Sequence, residues 1–431
     1  MEKQKEHNRS WPAILVVGMA LGTAWAVRGQ FGHEQGAAWA GGIGVLVLVL
    51  VSQRNDWYVK ILPITLSSAF GWGVTGMISY GRVVGYGRSD HFPNAFYGLL
   101  MLFVIGALFG LLGGGLTALS LESAKEKKVN WPGLIAEMTA GALIVYGFLV
   151  MQLEVLMTPP RSEAWALCLG AGLAMIWHMA RKGFLISLRV ALYTALGAGF
   201  GFAFGNFLQI LGNVLDIRFN MWNVMEYSIG FFGGSSLAYS IFTSKWPTET
   251  QTPEKWENVA SFLLVFVLIP MIVFRESLQY KYFLPRFGEY DMTGNIALIS
   301  TILSAFFIAV SVLFIWLILK KSNLRIARHE ALWVTTIYFG LYILLSYVIT
   351  GVVAGKIMSN HVLYVANLII ILLLLKRKWQ PFSSTVIIHK SAKPFFLYLV
   401  AVVAVIMILA FISVNIHEEL AGAHNRFGLE G

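Results

Sequence analysis

The chain has 431 residues, 57% of them hydrophobic and 13% charged, with a mean hydropathy of +0.69. A soluble domain carries about 25% charged residues, so this composition excludes a soluble enzyme and fits an all-α, multi-pass integral membrane protein. The net charge of +10 does not mark a nucleic-acid binder, because the Lys and Arg residues lie in short loops beside apolar runs, and the single cysteine, Cys168, excludes an intramolecular disulfide and a Cys-based zinc site.

Thirteen apolar stretches predict transmembrane helices at 11–29, 36–52, 59–80, 94–119, 131–156, 163–180, 185–212, 222–243, 257–274, 293–319, 331–351, 360–375 and 394–414. With the N-terminus in the cytoplasm, 22 of the 32 basic residues fall on the inner side, from Lys3, Lys5 and Arg9 through Arg54, Lys125, Arg181, Lys245 and Lys320 to Lys378, Lys390 and Lys393. The positive-inside rule then gives an N-in, C-out orientation, with a short acidic tail (Glu418, Glu419, Glu430) outside. The first stretch ends in Ala24-Trp25-Ala26, which also reads as a signal-peptide cleavage site. Cleavage would leave twelve spans, but a second span follows within ten residues, which favours a retained helix.

Between the first two spans lies Arg28-Gly29-Gln30-Phe31-Gly32-His33-Glu34. It combines a cation, an imidazole and a carboxylate with glycines that permit a tight turn. Charged groups at a membrane edge must pair or face water, and histidine titrates near neutrality. His33 and Glu34 are therefore the candidates for proton coupling or acid–base work, with Arg28 as an anion clamp. They are not a zincin motif, since position 37 is Ala37. Within the third span, Gly71-Trp72-Gly73-Val74-Thr75-Gly76 matches the dinucleotide pattern by letter. No strand precedes it, so it reads as helix packing.

The next outer segment, Ser79 to His91, carries Arg82, Arg88, Asp90 and His91 among tyrosines and glycines, a set suited to an anion or to sugar hydroxyls. Glu137, in the fifth span, is expected to pair with a lysine of 125–128. Glu154 lies near that span's outer end, ahead of Pro159-Pro160-Arg161. An amide-rich run, including Asn206, Gln209, Asn220 and Asn223, precedes Glu226, which reads either as a helix cap or as part of a polar cavity. Arg275 opens the longest outer loop, to Asp291, an aromatic-rich segment that fits an interfacial belt or a lid. His178, His329 and His389 sit near the inner side with no expected role, and His361 is a weak outer candidate.

Glycine divides the chain: residues 1–250 hold 34 of the 42 glycines. Small residues let helices approach closely in lipid. Residues 1–250 are therefore expected to form a tight eight-helix bundle of hairpins, and 251–431 a looser, lipid-facing five-helix region. Glu34 and Glu226 each precede a Gly-Gly pair by the same interval (Gly41-Gly42, Gly233-Gly234), and Gly18-Gly22 parallels Gly201-Gly205. A parallel hairpin repeat would explain both. The spans carry no clear ionisable residue at mid-depth, and there is no Walker motif, metal-ligand set or cofactor signature.

These features point first to a secondary transporter for a small polar or anionic solute in a bacterial inner membrane. Its site residues would be His33 and Glu34 for proton coupling, with Arg28, Arg82, Arg88, Asp90, His91, Glu154, Asn220, Glu226 and Arg275 for binding. The alternative is a membrane-embedded transferase or hydrolase facing outward, acting on a lipid-linked or glycan substrate. A cavity reaching mid-depth, walled by both halves, would favour the first. A shallow outer pocket sealed below by apolar packing would favour the second.

Overall fold

The computed structural model describes residues 2–247, 251–288, 294–377, 379 and 393–428, with side chains from residue 11 onward. Lys378, His389, Lys390, Asp291 and Glu430 lie outside the described residues, and the side chains of Lys3, Lys5 and Arg9 are not described. Among the described residues the regular structure is entirely helical.

The helices run α1 Glu2–Arg28, α2 His33–Ser52, α3 Asn55–Val59, α4 Ile61–Gly76, α5 Gly81–Gly87, α6 Phe92–Glu122, α7 Trp131–Tyr146, α8 Glu163–Lys182, α9 Leu185–Val214 and α10 Met221–Phe242. After the polar linker come α11 Lys255–Phe262, α12 Ile269–Ser277, α13 Tyr280–Gly288, α14 Gly294–Lys321, α15 Arg328–Thr350, α16 Ser359–Lys376 and α17 Lys393–Ile416. Wider π-helical turns extend α7 and join α11 to α12.

Among the described residues, 11 helices are long and apolar enough to cross a membrane, against the thirteen stretches predicted. Two predicted spans account for the difference. The third stops at Gly76 after 16 residues and turns by 70° into α5. The eighth is α10, a full helix of 22 residues that is not apolar enough to count among them. Glu226, Ser228, Ser235, Ser236 and Ser240 lower its hydropathy. It packs against both α1 and α9, so much of it faces protein, and there a polar side chain can find a partner.

Six helices close a ring. Helix α1 packs on α2, α2 on α4, α4 on α6, α6 on α9, α9 on α10, and α10 returns to α1. Glycine sets the spacing. A Cβ on Gly110 of α6 would stand 2.2 Å from the Thr194 carbonyl oxygen of α9, and one on Gly230 of α10 would stand 2.5 Å from the Leu21 carbonyl oxygen of α1. Backbones this close exclude any larger residue and maximise packing where lipid supplies no hydrophobic drive.

Aromatic rings fill the middle of the ring. Trp72 meets Trp25 edge-on with centroids 5.0 Å apart, Trp25 lies 5.4 Å from Phe109, and Phe109 stacks on Phe202 at 6.0 Å. All four are fully buried. Gly41, Gly113 and Gly233, from three different helices, make room for the Trp72 indole, and a Cβ on Gly113 would lie 2.4 Å from it. The letter-matched glycine pattern around Trp72 is thus a packing feature.

The expected division into a tight first half and a loose second half needs two corrections. Helix α7 belongs to the first half, yet its span is only 11% buried. Helix α15 belongs to the second half, yet it is part of the core. Its buried Tyr342 donates to the Ala24 carbonyl at 2.9 Å and its Tyr338 to the Val265 carbonyl at 3.0 Å. The outlying layer is α7, α14, α16 and α17. Glu137 does not pair with residues 125–128. It meets His178 at 3.1 Å and also Arg181, closing the α7–α8 hairpin.

Candidate functional site

The site forms where the ends of α1, α2, α4 and α10 meet. Helix α1 ends at Arg28, and Gly32, at φ 94°, allows the turn into α2. Gly36 lets α2 lie on the end of α1, since a Cβ there would stand 2.2 Å from the Arg28 carbonyl oxygen. The Arg28 side chain points into the ring and is fully buried.

Its partner is 198 residues away. Arg28 Nε donates to Glu226 Oε2 at 3.0 Å, Nη2 reaches Oε1 at 3.5 Å, and Nη2 also donates to the Tyr80 hydroxyl at 2.9 Å. Tyr80 in turn donates to Glu226 Oε1 at 2.6 Å. The α4–α5 bend places Tyr80 there, with its ring 5.1 Å from Phe202. The guanidinium also lies 4.6 Å over the Trp25 ring. A buried arginine is tolerable only with this degree of pairing and hydrogen bonding.

Above this cluster is a pocket of roughly 450 Å³, lined by Gln30, His33, Glu34, Tyr80, Arg161, Asn220, Trp222, Asn223 and Glu226, together with Ala26, Gly29, Met77, Ile78, Ser79 and Gly81. Its volume suits a small polar molecule or a headgroup. Glu226 lines the floor with Arg28 buried behind it, the Trp25 and Phe109 rings lie against the Arg28 guanidinium, and Phe202 lies against Tyr80. His33 and Glu34 are exposed on the rim. Among the described residues, no hydrogen bond or ion pair engages the side chains of Glu34 and Arg161. All of the lining residues come from the first 250.

The structure therefore brings together Arg28, His33, Glu34, Asn220 and Glu226 from the predicted set. Asn220 is the N-cap of α10, its side chain accepting from the Asn223 N–H at 3.4 Å, so Glu226, a turn and a half further on, is not the cap. The two glutamates of the proposed repeat occupy different places, Glu34 on the rim and Glu226 in the floor.

The remaining predicted residues do not line the pocket. Arg82 and Asp90 are exposed, Glu154 is exposed at φ 50°, and Arg275 is exposed beside Glu276 at 3.3 Å. Arg88 and His91 lie where the C-terminal tail docks. Arg88 Nη1 donates to the Ala421 carbonyl at 3.1 Å, and its guanidinium sits 5.5 Å from the Trp222 ring. The Asn94 side chain, 3.1 Å from His91 Nδ1, accepts from the Arg426 and Phe427 N–H groups, each at 2.8 Å. The His424 N–H meets the Gly85 carbonyl at 3.0 Å. The loop after Arg275 includes α13, which packs on α14, with Arg286 donating to the Ile349 carbonyl at 3.2 Å.

Asn94 accepts from two tail amides, beside the contacts that Arg88, Ser89 and the Gly85 carbonyl make with the tail. Asn94→Ala should leave the fold intact but raise amide exchange across 421–428 by at least about tenfold, the size of two lost hydrogen bonds of ordinary strength. Unchanged protection there would show that other contacts hold the tail.

Tyr80, Arg161, Asn223 and Gln30 were not singled out in the sequence. The amide run flagged Asn223 only as part of a polar stretch, and no spacing rule connects Tyr80 or Arg161 to Glu226. Among the described residues no cluster of His, Cys, Asp and Glu could hold a metal ion. The chain matches no protein-family model, no curated protein and no solved structure.

Proposed function

We propose that this multi-pass membrane protein is a membrane-embedded enzyme, a transferase or hydrolase, acting on an anionic group of a lipid-linked substrate. The observation that carries the reading is the closed floor: beneath Arg28, Tyr80 and Glu226 the ring is filled by Trp25, Trp72, Phe109 and Phe202. Such a pocket gives a substrate access from one face and no route through. With the N-terminus cytoplasmic, as the basic loops favour, the pocket opens outward, in keeping with a bacterial inner-membrane location. His33 would serve as general acid or base, with Glu34 beside it. Arg161 would hold the anion, and the Arg28–Glu226–Tyr80 cluster would fix the floor.

The test is phosphate release or transfer by purified protein in vesicles containing lipid phosphates. His33→Ala should lower the rate by about 10²-fold or more, the usual scale for a lost acid–base group. No turnover of any lipid phosphate by folded protein counts against the enzyme.

One observation favours a second reading, a carrier for a small anionic solute. Arg28 is already paired to a carboxylate, and a solute carboxylate could replace Glu226 on it. Proteoliposome uptake that needs Arg28 and a pH gradient would support this carrier and overturn the enzyme.

A further inference from the structure

We infer that Gln30 is a specificity-determining residue that presents its amide N–H₂ to the pocket, so that the bound group offers a hydrogen-bond acceptor there, such as a phosphate or carboxylate oxygen. The inference rests on the pocket being a binding site and follows from proton bookkeeping in the layer behind it. Gln30 lines the pocket. Its side-chain oxygen lies 2.7 Å from Ser346 Oγ on α15. Ser346 Oγ is also 3.2 Å from Nε2 of His361, at the start of α16, and Thr350 Oγ1 lies 3.2 Å from the same nitrogen. Ser346 and His361 are both buried.

An amide's two ends cannot be told apart by shape, so its orientation must come from its partners. The Thr350 hydroxyl spends its only proton on backbone carbonyls, those of Ser346 at 2.9 Å and Tyr347 at 3.1 Å. It can therefore meet His361 Nε2 only as an acceptor, which puts the ring proton on Nε2. Ser346 then also accepts from Nε2–H, and its own proton is left for Gln30. Ser346 can donate only to the amide oxygen, and this turns the Gln30 N–H₂ toward the pocket. His361 Nδ1 agrees: it is buried with no hydrogen-bond partner among the described residues. The opposite tautomer would bury an orphan N–H, which is less tolerable than a bare lone pair. In this way α15 and α16, which supply no lining residue, set the polarity of one wall.

Two measurements test this on the full chain in detergent. In the first, ¹⁵N-histidine NMR, with His361 assigned by difference against His361→Gln, should show a protonated Nε2 and a bare Nδ1. A protonated Nδ1 overturns the assignment whatever the pocket binds. In the second, inorganic phosphate and phosphate-lipid micelles are titrated against wild type and Gln30→Met. That substitution keeps the length and removes the donor without adding a charge, and it should weaken phosphate binding by at least about tenfold, the size of a lost hydrogen bond to a charged group. Unchanged affinity overturns the role of Gln30. Binding of the micelles but not free phosphate assigns the acceptor to a lipid headgroup, and binding of both assigns it to the phosphate itself. If neither binds to wild type, the pocket reading under Proposed function falls and Gln30's role as a specificity residue falls with it, while the tautomer measurement still decides the orientation of the amide.

Discussion

Removing one member of the Arg28–Glu226 pair should destabilise the protein by about 3–5 kcal/mol, and removing both should recover most of that loss. In Arg28→Met, Glu226 keeps only Tyr80 as a donor, in a floor lined by aromatic rings. In Glu226→Leu, a fully buried guanidinium keeps Tyr80 and a long contact to the His33 carbonyl at 3.4 Å. Each single variant leaves a desolvated charge without its counter-charge. The double variant leaves none, and Met with Leu roughly fills the volume. Chemical denaturation of the four proteins in one detergent gives the coupling directly. Additive losses would mean that the two charges do not depend on each other and that the floor is held together by packing alone.

Trp72→Ala should cost about 3–5 kcal/mol, at the upper end for a large-to-small change. The reason is the identity of its neighbours. A cavity costs less when surrounding side chains can move into it, and Trp72 is flanked by Gly41, Gly113 and Gly233, which have no side chain to move. The complementary change, Gly113→Ala, pushes a methyl into the indole from 2.4 Å away and should cost about 1–3 kcal/mol by overpacking. Thermal unfolding in detergent measures both. A loss below about 1 kcal/mol in Trp72→Ala would mean that the ring collapses onto the space, contrary to a bundle whose spacing is set by backbone contact.

Hydropathy revealed the helices because each apolar run must cover its own length of membrane. It was least informative at α10, whose surroundings are largely protein. There a serine back-bonds to its own helix, as Ser236 does to the Phe232 carbonyl at 2.7 Å, and the apolar signal is no longer required. The turn at Arg28 to Glu34 was legible because three ionisable types in seven residues exceed what a turn needs. The union of Arg28 with Glu226 was not, since it depends on α10 returning to α1 to close the ring, and no local spacing encodes that closure. Arg82 and Arg88 look alike in the sequence, but Arg82 lies in the first turn of α5 and Arg88 just past its end: one remains exposed while the other holds the tail. Gln30 could not be singled out from sequence because its polarity is set by hydroxyls more than 300 residues away.

The docked tail offers a way to find out which side of the membrane the pocket faces. Residues 421–427 are fastened to α5 and the start of α6, and Arg88 links them to Trp222 on the pocket wall. Tail and pocket must therefore share a compartment. The chain's single cysteine, Cys168, is buried, and Glu418 and Glu419 are exposed. A thiol introduced at either position, challenged with a reagent that cannot cross the bilayer, would report the compartment from which the substrate arrives, before any substrate is known.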